Sequence, residues 1–201
     1  MHIKKSADVS RFFVFARGGN GTLLCYDNDM LTKKQKEWIN LLSDDDEVEI
    51  IPYDKRSKEI FKRVKEEIKI NIGDETRVEE RGSTSLGIAG QNEIDVYVPI
   101  SPDIFYSKTL VPELTKIYGL PKSIHKTRIR FQFIDDGKKI DIFLIDEESA
   151  EWINGVKFEN YLKTHQEALK EYKKLKHACN GLSTRKFYEK KVAFINDILS
   201  R

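Results

Sequence analysis

Two runs in the second half of the chain, Arg128 to Ile134 and Lys139 to Ile145, alternate polar with apolar residues on either side of Asp135-Asp136-Gly137. Successive side chains of an extended segment point to opposite faces, so the alternation builds one apolar and one polar face. The Asp-Gly join accepts the positive φ of a tight turn, and the whole reads as a β-hairpin. Such a hairpin must bury its apolar face against further strands or helices. Asp141 breaks the pattern, lying within Ile140-Asp141-Ile142-Phe143-Leu144. A charge inside an apolar strand needs a reason, because burying it unpaired is costly.

The rest of the chain supplies both kinds of partner. Ile94 to Ile100 reads as a strand, stopped by Pro99 and Pro102, and Val48 to Tyr53 as a short strand. Arg77 to Arg81 is extended and leads into Gly82-Ser83-Thr84-Ser85. Ser57 to Ile70 is predicted helical, with Ile60, Phe61, Val64 and Ile68 at helical spacing. Pro102 to Tyr118 is helical, and Pro112 either kinks it or starts a second helix. Tyr161 to Cys179 reads as one helix carrying Leu162, His165, Leu169, Tyr172 and Leu175 on a face; Phe187 to Leu199 follows beyond Gly181. Mixed strands and helices predict an α+β fold: a mixed sheet flanked by helices, with a helical C-terminal tail.

An extra piece precedes this. Arg11 to Ala16 and Thr22 to Tyr26 flank Gly18-Gly19-Asn20-Gly21 and read as a second hairpin. A phosphate-cradling glycine loop would need a helix directly afterwards, and a strand-like run follows instead. Thr32 to Leu42 is predicted helical, capped by Thr32, with Trp38, Leu41 and Leu42 on one side. The acidic run Ser43 to Glu47 reads as a linker, which divides the chain into an appendage over residues 1–46 and a main domain over 47–201.

Composition closes off several classes. The longest apolar run, Phe12 to Ala16, is far short of the ~20 residues that cross a bilayer, so no membrane association is expected. Two cysteines, Cys25 and Cys179, make a disulfide scaffold unexpected and point to a reducing, cytoplasmic compartment. With 35 Lys and Arg against 33 Asp and Glu, the chain is no polyanion coat. The charge is uneven, however: residues 160–201 hold ten Lys and Arg against four Asp and Glu.

The chemistry-bearing residues lie earlier. In a strand, Glu93 and Asp95 project side by side, and two such carboxylates repel unless a cation lies between them. Mg²⁺ (or Mn²⁺) takes oxygen ligands of this kind, and Asp141 on a second strand would complete the set. Carboxylates preceded by a Gly-Ser turn make the layout required for metal-assisted phosphoryl transfer. The turn, Gly82, Ser83 and Thr84, offers amides and hydroxyls to phosphates, and a carboxylate, Asp141 among them, can take the proton of an attacking hydroxyl. Each element alone is most often bland: a turn, a solvated strand edge, an exposed sheet position. Their order and spacing together favour the functional reading.

Gly82-Ser83, Glu93-Ile94-Asp95 and the later Asp141 resemble the polymerase-β-like nucleotidyltransferase superfamily, and within it the GrpB-like family. Ile51-Pro52-Tyr53-Asp54, the stretch from Gly82 through Gly87-Ile88-Ala89 to Asp95, and the tail (Phe158 to Leu162, Tyr172, Leu175-Lys176, Lys191, Phe194-Ile195) carry the likeness. The resemblance implies a nucleoside triphosphate substrate, a divalent metal and transfer of a nucleotidyl group to the hydroxyl of an unstated acceptor, whether small molecule, protein or RNA. Lys176 and Lys191 fall where the family-like tail has lysines, and Arg128 and Arg130 alternate toward one face; all four are candidates for contacting the nucleotide. The chain departs from the family pattern where Leu86 runs directly into Gly87 without a proline, at Gln91-Asn92, and at Glu80-Arg81. The shortened turn leaves two registers open: Glu93 with Asp95, or Asp95 with Tyr97. If the second holds, the alternative is a catalytically degenerate nucleotide- or protein-binding module, regulatory or antitoxin-like.

Overall fold

The computed structural model describes residues 30–201; the hairpin expected over Arg11 to Tyr26 lies outside them. In chain order the described elements are α1 (Lys33–Ile39), α2 (Arg56–Ile72), β1 (Glu79–Arg81), α3 (Gly82–Ser85), β2 (Glu93–Ile100), α4 (Pro102–Ser107), α5 (Val111–Tyr118), β3 (Ser123–Ile124), β4 (Arg128–Asp135), β5 (Lys138–Asp146), α6 (Ala150–Thr164), α7 (Gln166–Ala178) and α8 (Thr184–Ser200). They fall into two compact units, Ile51–Glu159 and, among the described residues, 30–50 with Asn160–Arg201.

The first unit is built on a sheet of order β1-β2-β5-β4-β3. β2 and β5 run parallel, and the other pairs are antiparallel. The expected hairpin is β4–β5, turning at Asp136 and Gly137, both at positive φ. Period-two alternation sorts its residues by face. Ile94, Val96 and Val98 of β2, Ile140, Ile142 and Leu144 of β5, and Ile129 and Phe131 of β4 are fully buried. They pack with Ile60, Val64 and Ile68 of α2, Phe105 of α4 and Leu114 of α5. Each such side chain contributes roughly 1.5–3 kcal/mol through the apolar area taken from water. The opposite face carries Glu93, Asp95 and Tyr97, Asp141 and Phe143, and Arg128, Arg130 and Gln132. It too is largely closed to water: Arg128, Arg130 and Asp141 are all buried.

Local expectations mostly hold in this unit. Of the two readings of Pro112, the second holds: it starts a second helix, α5, after Lys108 turns the chain at positive φ. One difference is the strand expected over Val48 to Tyr53, which in this unit reduces to an isolated bridge from Ile51 to Gly90.

The second unit packs α1, α7 and α8. Thr32 caps α1 in a reciprocal capping box with Gln35. Trp38 meets Tyr188 edge-on at 5.4 Å, and Tyr172 stacks on Phe194 at 5.2 Å. Buried Gln35 and Asn196 exchange hydrogen bonds of 3.1 and 2.9 Å. Leu41 is a correction: it lies past the helix end, beyond the C-cap Asn40, and is exposed, while Trp38 and Leu42 are buried. The acidic run read as a linker instead docks on the first turn of α8. Asp44 accepts from Ser183 and pairs with Arg185, and Asp46 accepts from Thr184. Negative charge is favoured there by the exposed amides of a helix start.

The single helix expected over Tyr161 to Cys179 is two, broken at His165, whose backbone is extended (φ −120°, ψ 92°). The hydroxyl of Thr164 bonds the carbonyls of Asn160 and Tyr161, and the His165 ring stacks on Tyr161 at 3.8 Å. The His165 amide still donates to the Tyr161 carbonyl at 2.9 Å, and across the break the backbone ladder resumes only with Leu169 donating to His165 at 3.1 Å. His165 is therefore exposed rather than part of an apolar face.

Candidate metal centre

The sheet register lines up four polar residues across four chain segments. Arg81 of β1 stands opposite Asp95 of β2, Asp95 opposite Asp141 of β5, and Asp141 opposite Gln132 of β4. Glu93, one pleat before Asp95, faces the same side. One carboxylate oxygen from each of Glu93, Asp95 and Asp141 lies within 4.8 Å of the others. The parallel pairing of β2 with β5 creates this cluster, because it sets Asp95 beside Asp141 in register.

Asp141 is buried, and the cost of its charge is met locally. Its Oδ1 accepts from Nε of buried Arg130 at 2.9 Å and from Nε2 of Gln132 at 2.8 Å. Oδ2 carries no side-chain bond from the described residues. Glu93 pairs with Lys139. Gly82, at φ +76°, opens α3 against Asp95; a Cβ there would fall on Oδ2 of Asp95. Only glycine accepts both that backbone angle and that approach.

The donor set suits a hard divalent cation. All three candidate donors are carboxylates, and two Mg–O bonds of ~2.1 Å span at most ~4.2 Å, within a small side-chain adjustment of the observed spacing. Tyr97 follows Asp95 on the same face but belongs to an aromatic layer, 4.6 Å from Phe143 and 5.8 Å from Trp152. Burial pushes its phenol well above the ordinary range, and the Asp95 charge adds to this. A neutral, stacked phenol is a wall here, not a ligand.

The Gly-Ser turn has an occupant of its own. The amide of Gly82 donates to Oε2 of Glu159 at 3.2 Å, and Ser85 Oγ donates to Oε1 at 2.5 Å. Arg81 lies 3.2 Å from the same carboxylate. Glu159 is buried on α6. The sequence carried a signal for it: Glu159 stands two helical turns after buried Trp152 and three residues before buried Leu162, a charge on an apolar stripe.

The other nucleotide-contact candidates are engaged within the chain. Arg130 holds Asp141. Arg128 pairs with Glu151 at 3.1 Å and lies over the Phe143 ring. In the other unit, Lys176 is buried with its ammonium over Tyr172, and Lys191 lies over Phe187 and Tyr188. Thr84 is buried, and its hydroxyl has no hydrogen-bond partner.

A mixed sheet flanked by helices, with carboxylates on neighbouring parallel strands below a glycine turn, defines a fold of the nucleotidyltransferase-like class. The family described as GrpB protein matches residues 47–201, and the chain belongs to it; GrpB lies within the nucleotidyltransferase-like superfamily. Among solved structures, the crystal structure of conserved protein GrpB from Enterococcus faecalis matches with a TM-score of 0.57 and 21% identity, over 75% of this chain and 94% of that one. At this identity the match speaks for the fold. No curated protein matches the chain. Among the described residues no helix is long and apolar enough to cross a membrane.

Proposed function

We propose that this chain transfers a nucleotidyl group from a nucleoside triphosphate to a hydroxyl, with Glu93, Asp95 and Asp141 holding a divalent cation, Mg²⁺ or Mn²⁺. The convergence of those three carboxylates carries the reading. Bound there, the cation would supply charge neutralisation for the triphosphate. The acceptor oxygen attacks the α-phosphorus, the bond to the bridging oxygen breaks, and pyrophosphate leaves. The hydroxyl proton passes to a carboxylate of the cluster. Asp141 was the sequence choice for that base; its burial and its two donors on Oδ1 suit it better to holding the site together. Gly82 keeps the turn close to Asp95, and Arg130 and Gln132 orient Asp141. Cytoplasmic location is part of the same proposal.

Isothermal titration of each nucleoside triphosphate in Mg²⁺ tests it. Binding by the folded chain, lost in Asp95→Asn, is the expected result. No binding of any triphosphate sinks the enzyme reading.

A second reading, a non-catalytic module of the same fold, is favoured by one observation: the Gly82 amide, the natural phosphate donor of the turn, already serves Glu159. It expects Asp95→Asn and Asp141→Asn to leave any cellular phenotype intact.

A further inference from the structure

The carboxylates of the cluster, Glu93, Asp95 and Asp141, are not equally held. Asp141 is fixed. It and its partner Arg130 have side-chain exposures of only 4% and 6%, and Gln132 donates to the same oxygen. Pulling that guanidinium away would strand a buried charge on each side. Asp95 is pinned against Gly82. Arg81, opposite it in register, is committed to Glu159 at 3.2 Å and Glu79 at 3.4 Å.

Glu93 is held differently. Lys139 stands beside it in the β2–β5 register, and the Lys139 ammonium pairs with its Oε1. Strand alternation puts Lys139 on the face of Asp141, since residues i and i+2 of a strand share a face. Both members of the pair reach water, at 33% for Lys139 and 23% for Glu93. The adjacent Lys138 is buried and engaged by Asp54 at 3.0 Å and Asn92 at 2.9 Å. Lys139 is therefore the cation at the wet edge of the cluster.

The residue types match these two situations. A guanidinium is planar and holds a carboxylate through several fixed donors. An ammonium is a compact, strongly hydrated point charge on a flexible stem. A partly exposed pair of the second kind is weak, because water takes over each partner at small cost. A divalent cation at the same carboxylates carries twice the charge and finds three oxygen ligands. Glu93 has a second oxygen, but an ammonium and a divalent cation on one carboxylate repel each other strongly.

We infer that Lys139 is the exchangeable counter-ion of the cluster: it neutralises Glu93 in the metal-free chain and is released to solvent when a divalent cation binds. Lys139 thereby lowers the affinity of the site for the cation and relieves the repulsion among the carboxylates without it. Arg130 stays on Asp141 in both states. The inference rests on the cation site of the proposed function. In the transfer reading, the released ammonium also becomes a charge for the triphosphate.

The test is Mn²⁺ titration of the full chain, read by the paramagnetic resonance of the free ion, in wild type, Lys139→Gln, Asp95→Asn and Lys116→Gln. The last is the charge-matched control: Lys116 is exposed and pairs with Glu113 on α5, whose Leu114 packs on the other face of the sheet. Lys139→Gln should bind Mn²⁺ about fivefold more tightly, from the loss of one like charge at close range. Lys116→Gln should stay within about twofold of wild type, screened by solvent and salt. A second readout follows the lysine itself. With isotope-labelled lysine, the Lys139 side-chain NMR signal, assigned by its absence from Lys139→Gln, should move toward those of solvated lysines as Mg²⁺ is added. Wild-type binding that is lost in Asp95→Asn but not tightened in Lys139→Gln overturns the exchange and leaves the cation site standing. Equal tightening in Lys116→Gln, or a Lys139 signal unmoved at saturating Mg²⁺, also overturns it. No Mn²⁺ bound by folded wild type or by folded Lys139→Gln removes the cation site and the exchange together. Tightening in Lys139→Gln without binding of any triphosphate leaves the exchange standing and removes the transfer reading.

Discussion

Gly82 and Asp95 are in contact so close that no side chain fits between them: a Cβ at Gly82 would fall on the Asp95 carboxylate, and the backbone there is at φ +76°. The turn and the first carboxylate of the cluster therefore hold one another in place. Gly82→Ala should cost roughly 1–3 kcal/mol of stability from the positive φ alone. It should also push Asp95 aside. Titrating Mn²⁺ into the folded variant checks this: cation binding should fall at least as far as in Asp95→Asn.

Asp141 and Arg130 are both buried, and removing one strands the other. Asp141→Ala should destabilise the chain by about 3–5 kcal/mol by leaving an unpaired guanidinium, measurable by urea denaturation. Asp141→Asn keeps an acceptor for Arg130 and Gln132. It should cost clearly less stability and still lose the cation. Equal stability of the wild type and the alanine variant would show that the pair does not carry this burial.

Glu159 occupies the amide that a phosphate would use. Glu159→Gln removes the negative charge but keeps an oxygen for Gly82. Under the transferase reading, triphosphate affinity should rise several-fold in calorimetric titration. Unchanged affinity would mean that the phosphates do not approach the Gly82–Ser83 turn.

Asp46 is expected to make the start of α8 sensitive to acid. Burial alone would raise its carboxyl, but hydrogen bonds from Ser43 and Thr184 outweigh it and hold it below its ordinary value. A depressed folded-state value means that its stabilisation is fully present above the unfolded value of ~3.9 and is lost as pH falls through the folded one. Asp46→Asn should thus lower stability by about 1 kcal/mol at pH 7, discounted for its partial exposure. Melting curves of the two proteins should converge only as pH falls through that lowered folded-state value.

Local chemistry made much of the fold legible. Alternation around Asp136-Gly137 specified the β4–β5 hairpin, helical spacing of Ile60, Val64 and Ile68 specified α2, and Thr32 as a cap specified the start of α1. Spacing of two residues was enough to put Glu93 and Asp95 on one face. The misreadings also have local causes. The His165 break is a change of backbone angle at a single residue, which hydrophobic period does not reveal. The acidic run looked like a solvated linker because its charge was legible and its partner, the first turn of α8, was not.

What the sequence determined by itself was therefore which segments are strands or helices and which faces they present, since dihedral preference and periodicity act over a few residues. Tertiary structure alone decided what meets across those faces. The parallel pairing of β2 with β5 brings Asp141 to Asp95, while Tyr97 lies tilted against Phe143. Glu159 reaches the Gly82 amide from 77 residues along the chain. Strand order and helix docking are set by burying the whole apolar face at once, and no short stretch of sequence encodes that.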